Sequence, residues 1–250
     1  MKRFRLLLLF IPVVLQTVHA QTSQVDEQEA LKRLGNKLDF GNRDKRSPDY
    51  SKSFDKQPLV FKNWHYGKVF FRDDTDMDSI RFNFDIDINA VVVQYNTDIS
   101  AVSLKPDVVE SFILHDQGNE REFIRKMKED FKDIKYHMPF FEVLLGNDSP
   151  EELTILKQYK KEQVSADQQG SYKPVGFKAE ADDVTYDFRV TYFIRSAEDN
   201  VYRKFGLSKK KVLGLFDKVK SKEVQSYVKS SKLKWNNESE MVEVIRRFFQ

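Results

Sequence analysis

The run Arg72–Ser79 holds Asp73, Asp74, Asp76 and Asp78. Asp74, Asp76 and Asp78 alternate as the first ligands of an EF-hand calcium loop do. Such a loop needs Gly at its sixth position and a bidentate Glu at its twelfth. Counted from Asp74, those positions are Ser79 and Asp85. The residues that follow also read as an extended strand, in which Asp78 and Asp85 stand about 23 Å apart, too far to share one ion. The run is therefore read as the acidic turn of a hairpin, where Asp side chains bond nearby amides. Asp74, Asp76 and Asp78 remain the candidates for a looser metal site in the turn alone.

Other residue types narrow the chemistry further. No cysteine occurs, which excludes disulfides, thiolate catalysis and cysteine-bound zinc. His65, His115 and His137 are far apart in sequence, and no His-Glu-x-x-His spacing occurs. There is no Gly-x-Ser-x-Gly elbow, phosphate loop or dinucleotide fingerprint, so no cofactor is expected. Ser208-Lys209-Lys210-Lys211 has a Ser-x-x-Lys spacing but reads as the capped start of a basic helix. Asp85 and Asp87 lie on one face of the expected strand, about 6.6 Å apart along it. That is near the spacing of paired glycosidase carboxylates, but no apolar setting is visible that would raise one pKa for acid catalysis. Asn147-Asp148-Ser149 and Asn237-Glu238-Ser239 match glycosylation sequons, which matter only in a host that glycosylates.

Charge is the strongest compositional signal. The formal net charge is +3, and Lys2, Arg3 and Arg5 account for it. From Val201 onward there are 13 Lys and Arg against 5 Asp and Glu, a net of +8; residues 21–200 carry −8. Lys209, Lys210, Lys211, Lys218, Lys220 and Lys222, with Lys229, Lys232 and Lys234, resemble a nucleic-acid footprint. An export signal argues against nucleic acid. Attraction between the two parts is one reading of the asymmetry, and an anionic envelope polymer is the other.

The elements that must carry these residues follow from periodicity. Ile80, Phe82, Phe84, Ile86 and Ile88 alternate with polar residues, as do Val184, Tyr186, Phe188, Val190, Tyr192 and Ile194, with Phe193 the exception. Both predict half-buried strands. Val69–Phe71, Ala90–Tyr95, Ile99–Leu104, Val108–Leu114 and Phe140–Leu145 add strands of an antiparallel meander. Phe123, Met127 and Phe131 at i, i+4, i+8 favour a helix within Glu120–Ile134, with a charged loop as the alternative. Leu153–Val164 fits strand or helix. Beyond Asn200 three short helices are expected: Val212, Leu215, Phe216 and Val219 capped by Ser208; Val224, Tyr227 and Val228 capped by Ser221; and Met241, Val244, Ile245 and Phe248 behind an Asn237/Glu240 capping box. The fold class predicted is α+β: a mainly antiparallel sheet, curved or partly closed, with three C-terminal helices.

The chain opens with a basic Lys2-Arg3-Arg5 region, an apolar Leu6–Leu15 core and a Val18-His19-Ala20 site, which predict a secretory signal cleaved near Ala20. Ten apolar residues are too few to span a bilayer. No later stretch approaches that length. The division expected is 1–20 signal, 21–57 polar arm or linker with a possible short helix over Val25–Leu38, 58–200 β-rich body and 201–250 basic helical segment packed on that body. The absence of cysteine fits a bacterial envelope protein.

The run YGKVFFRDDTDMDSIRFNFDIDINAVVVQYNTDISAVSLKPDVVESFIL, with FFEVLLG at Phe140–Gly146, LKQYKKE at Leu156–Glu162 and the lysine-rich KKKVLGLFDKVKSKEVQSYVKSSKLKW, resembles a family of exported Bacteroidetes proteins of unknown function. The likeness covers about residues 60–250 and departs at Phe84–Asp87, where the family often keeps Tyr-Asn or Tyr-Asp. It implies an envelope protein with antiparallel strands and terminal helices, and it carries no catalytic residue over. The functional expectation is a non-enzymatic binding or scaffolding module in the periplasm or at the outer membrane. One alternative is a hydrolase whose pocket gathers His65, His115, Asp85 and Asp87. The other is a curved sheet that cups lipid or lipopolysaccharide in an apolar cavity.

Overall fold

The computed structural model describes residues 34–39, 57–94, 101–132, 134, 139–164, 185–197, 199 and 201–249. The expected signal, most of the 21–57 segment with most of the helix expected over Val25–Leu38, and His137 lie outside the described residues; where the end of that helix is described, Gly35–Lys37 form one 3-10 turn and Leu38–Asp39 are extended. The strands are β1 (Leu38–Asp39), β2 (His65–Phe71), β3 (Asp76–Asp85), β4 (Ala90–Gln94), β5 (Ala101–Leu104), β6 (Val109–Asp116), β7 (Asn119–Arg125), β8 (Phe140–Leu145), β9 (Thr154–Val164), β10 (Thr185–Arg195) and β11 (Arg203–Phe205). They form one 11-stranded sheet in the order β1-β5-β4-β3-β2-β6-β7-β8-β9-β10-β11, with antiparallel ladders throughout. Three helices follow: α1 (Lys209–Leu213), α2 (Lys218–Ser230) and α3 (Glu238–Phe249). The α+β class is thus as expected, and the sheet is not closed.

The strand order forces half of the sheet to curl. β5 and β6 are four strand spacings apart in the ladder, about 19 Å if the sheet were flat. The connection from Leu104 to Val109 would reach only about 17 Å fully extended, and it contains a turn in which Val108 N–H donates to Lys105 O. Curling brings β5 back toward β6. Gly67 permits the close approach inside this curl: a Cβ there would sit 2.0 Å from Ile113 O. The interior is filled by Val69, Phe82, Phe84, Phe112, Leu114, Phe123 and Phe140, with the Phe112 and Phe123 rings stacked 4.6 Å apart. Burial of each such side chain contributes about 1.5–3 kcal/mol, and with no cysteine in the chain this packing has no covalent staple.

Two short segments stop the ends of the curl. At one end Leu34 and Leu38 are buried and β1 pairs with β5. Lys37 there reaches across to Asp73 at 3.0 Å. At the other end a bend at Phe61–Asn63 is held by buried Asn83. Its Oδ1 accepts from Phe61 N and Phe84 N, and its Nδ2 donates to Phe61 O and Asn63 O.

Paired residues on neighbouring strands face the same way. The series Val69, Phe112, Phe123, Glu142, Lys157, Tyr192 therefore marks one face across six strands. Beyond the curl this face meets α1–α3, whose Val212, Val224, Val228, Met241, Val244 and Ile245 pack on Ile155 and Ile194. The opposite face there is covered by Phe131 and Tyr202, which pack on Phe141, Leu156 and Phe193. That second cover explains why Phe193 breaks the alternation of β10: Phe193 and Ile194 are both buried, on opposite faces.

Several local elements differ from the sequence reading. Glu120–Ile134 holds neither the expected helix nor a mere loop. β7 occupies its start, joined to β6 through Gln117 and Gly118, both at positive φ as a two-residue type I′ hairpin requires. Met127 is exposed, so the helical spacing of Phe123, Met127 and Phe131 is coincidental. Leu153–Val164 resolves to strand β9. The cap of α2 is Asp217, whose side chain accepts from Val219 N and Lys220 N, whereas Ser221 lies one turn inside the helix. Ser208 stands at the N-cap of α1 without a side-chain cap bond. Val219 is exposed rather than on a buried stripe. At α3, Asn237 Oδ1 accepts from Glu240 N and its amide reaches the Glu240 carboxylate.

Candidate functional site: a basic cavity in the helical end

The acidic run that opened the sequence reading comes apart in space. Phe71 O accepts from Asp74 N, and Phe71 N donates to Thr75 O, so Arg72–Asp74 form the hairpin turn with Asp74 at φ 60. Asp tolerates this left-handed position better than most residues. Asp73 accepts from Thr75 and pairs with Lys37, which hold its carboxyl down at about 2. Asp76 and Asp78 belong to strand β3, not to the turn. Asp76 pairs with Lys68 at 2.7 Å, and Asp78 accepts from Ser79 N. Among the described residues no three His, Asp or Glu side chains are grouped as a metal site.

Of the four residues a hydrolase pocket was expected to gather, the structure forms two separate pairs, His65 with His115 and Asp85 with Asp87, each joined through a backbone group. His65 Nδ1–H donates to the His115 carbonyl at 3.3 Å and lies 3.8 Å from Asp116. Asp85 is fully buried and its Oδ1 accepts from Asp87 N and Ile88 N, which closes the turn after β3. It stands three residues beyond Phe82, the partner of His65, and on the opposite face of the strand. The lipid-cup reading requires space inside the curl, and that space is occupied by the phenylalanines described above.

A second polar group was not foreseen. On the sheet face between the curl and the helices, Glu142 takes Arg121 in a bidentate pair, Nε at 2.7 Å and Nη2 at 3.0 Å. Tyr159 O–H donates to the same carboxylate at 2.5 Å. Lys157 lies 3.7 Å from Glu142 and 2.9 Å from Glu238, the first residue of α3, which also accepts from Tyr192 O–H at 2.7 Å. Arg121 rests over the Phe61 ring at 4.6 Å. Burial alone pushes the Glu142 carboxyl up, but the hydrogen bonds and charge of Arg121, helped by Lys157, outweigh it and the pKa lies below its ordinary value. Burial and the adjacent Glu142 charge push the Tyr159 phenol up. Every lone pair and charge here is answered from within the chain, so the group joins the two cores and holds α3 down.

The helical end is the opposite case. A cavity of about 300 Å³ is lined by Lys209, Gln225, Val228, Lys229, Lys232, Leu233 and Trp235. Lys209 opens α1, Gln225 to Lys229 lie on α2, and the rest belong to the link to α3. The link is fixed by a Schellman closure: Leu233 N–H donates to Val228 O, and Lys232 N–H to Lys229 O. This motif places its C′ residue in the left-handed region, where Gly is preferred. Here the position is Lys232, at φ 56. Its closing apolar contact, Val228 with Leu233, forms the floor of the cavity, and Trp235 adds an aromatic wall.

No acid balances these lysines among the described residues. Of the five acids after Val201, Glu223 is exposed on another face of α2, Asp217 caps α2, and Glu240 accepts from Lys234 N and Asn237. Glu238 is taken by Lys157 and Tyr192 of the sheet, and Glu243 by Arg246. Ion pairs cross that boundary in both senses: Arg203 of the basic end meets Asp199 of the body at 2.8 Å, and Lys157 of the sheet meets Glu238 of α3 at 2.9 Å, while the cavity lysines pair with neither. Of the six lysines singled out in the sequence, the cavity takes Lys209. Lys211 lies along Gly206 instead, where a Cβ would meet its stem at 2.8 Å. Lys218 and Lys222 are exposed on α2, and Lys220 is half-buried. Trp235 was missed as a site residue; its signal was an aromatic amid lysines just beyond a helix end.

Comparison of the chain with protein-family models, with curated proteins and with solved structures finds no match in any of the three. The function therefore has to be argued from this geometry.

Proposed function

We propose that the protein is an exported, non-enzymatic binding module of the bacterial cell envelope that takes an anionic ligand on its basic helical end. The observation that carries the reading is the convergence of Lys209, Lys229 and Lys232 on one cavity without an acid among the described residues to neutralise them. Three lysines lining one space bring like charges to the same part of the surface, and an anion there relieves their repulsion. Export is supported by the leader pattern of residues 1–20, and the envelope by the cysteine-free composition and the resemblance to exported Bacteroidetes proteins. The closed state of the Glu142 group argues against a hydrolase. Cell fractionation with N-terminal sequencing tests export, with Gln21 as the expected first residue. Retention of the purified chain on an immobilised anionic polymer at low salt tests the site. Retention should fall as salt rises and vanish in a Lys209→Glu/Lys229→Glu/Lys232→Glu variant. Equal retention of the variant would sink the reading.

A further inference from the structure

The cavity is the end of a longer feature. Lys218, Lys222, Gln225, Lys229 and Lys232 follow one another at spacings of four, three, four and three residues, and all five are exposed. On an α-helix that spacing keeps them on one face. From Lys218 to Lys229 the helical stripe runs about 17 Å, and Lys232, just past the helix end, lines the cavity where it stops. Glu223, the one acid of α2, lies off this face by the same geometry. A compact anion needs only the cavity; a row of like charges leading into it fits a ligand that repeats its own charge.

Resting on the anionic-ligand reading above, we infer that the ligand is a linear acidic polysaccharide. It would lie along the Lys218–Lys222–Lys229 stripe and place one sugar ring in the cavity against Trp235. The choice of glycan rests on three features. Trp235 offers a flat apolar face to the C–H side of a ring. Gln225 offers amide donors and an acceptor to hydroxyl groups. The charges along the track are lysines, flexible point charges that meet carboxylate, sulfate or phosphate oxygens without a fixed geometry, which suits the varied orientations of acidic groups on successive sugar rings. A single-stranded nucleic acid would instead call for successive aromatic platforms along the track, and the stripe between Lys218 and Lys229 carries none.

The test is calorimetric titration of the intact chain with galacturonate, hexagalacturonate, neutral maltohexaose and inorganic polyphosphate. Hexagalacturonate should bind at least tenfold more tightly than galacturonate, and maltohexaose should not bind. Lys218→Ala/Lys222→Ala, two exposed changes outside the cavity, should erase the tenfold margin and leave galacturonate binding unchanged. Trp235→Ala should weaken both uronates. Equal affinity for monomer and hexamer would overturn the track while leaving an anion site in the cavity. Binding of polyphosphate without the uronates would overturn the glycan and leave the anionic reading intact. Binding of no anion would remove both.

Discussion

The Glu142 group and the lysine cavity are both concentrations of charge, and they differ in whether the chain completes them. Around Glu142, two cations, two phenols and two carboxylates are interlocked at hydrogen-bond distances and mostly shielded from water. Around the cavity, three lysines line one space, and among the described residues no acid pairs with them. The first arrangement holds a sheet and a helix together; the second leaves an interaction open to another molecule. In this protein, the unfinished charge rather than the perturbed charge points to function.

The sharpest way to break that comparison is Glu142→Gln. It keeps the shape but leaves Arg121 without its bidentate anion and Lys157 with Glu238 alone, and should destabilise the fold by about 3 kcal/mol in urea unfolding. The same variant sets a pH test. Because the folded carboxyl pKa lies below its unfolded value of about 4.3, its contribution is complete above that pH and is lost as pH falls through the folded value. The gap between wild type and Glu142→Gln should therefore narrow when unfolding is repeated at acid pH. Tyr159→Phe removes one donor to the buried carboxylate and should cost about 2 kcal/mol.

Smaller effects sharpen the other side. Lys232→Gly places at the Schellman C′ position the residue that its backbone favours, and should stabilise the chain by about 1 kcal/mol. It should also weaken anion binding. A gain in stability with a loss of binding is what a site residue held at a structural disadvantage predicts. Lys209→Ala/Lys229→Ala/Lys232→Ala should change stability by no more than about 0.5 kcal/mol.

The sheet was largely legible because its strands alternate, as in Ile80–Phe84, where one face enters the curl; the alternation runs on past the strand, which ends at Asp85 and leaves Asp87 and Ile88 in a turn rather than on its face. Legibility failed where both faces are buried, as at Phe193 and Ile194, and where a two-residue turn does the work, as at Gln117-Gly118 before β7. The order of strands was not readable, since the curl follows from the short Leu104–Val109 connection only once β6 is known to pair with β2. The basic end was visible in composition, but which lysines meet depends on the Schellman closure after α2. The Glu142 group was invisible. Arg121 and Glu142 lie 21 residues apart, and Lys157 and Glu238 lie 81 apart; nothing local marks them as partners.

The most direct measurement is the melting temperature of wild type and of the Lys209→Ala/Lys229→Ala/Lys232→Ala variant at low salt, each with and without polygalacturonate. A ligand that binds only the folded chain raises the melting point. The account predicts that the variant alone melts no lower than wild type and that the polymer raises the melting point of wild type only. A variant that melts several degrees lower on its own, yet responds to the polymer as wild type does, would show these lysines to be part of the scaffold and contradict the account.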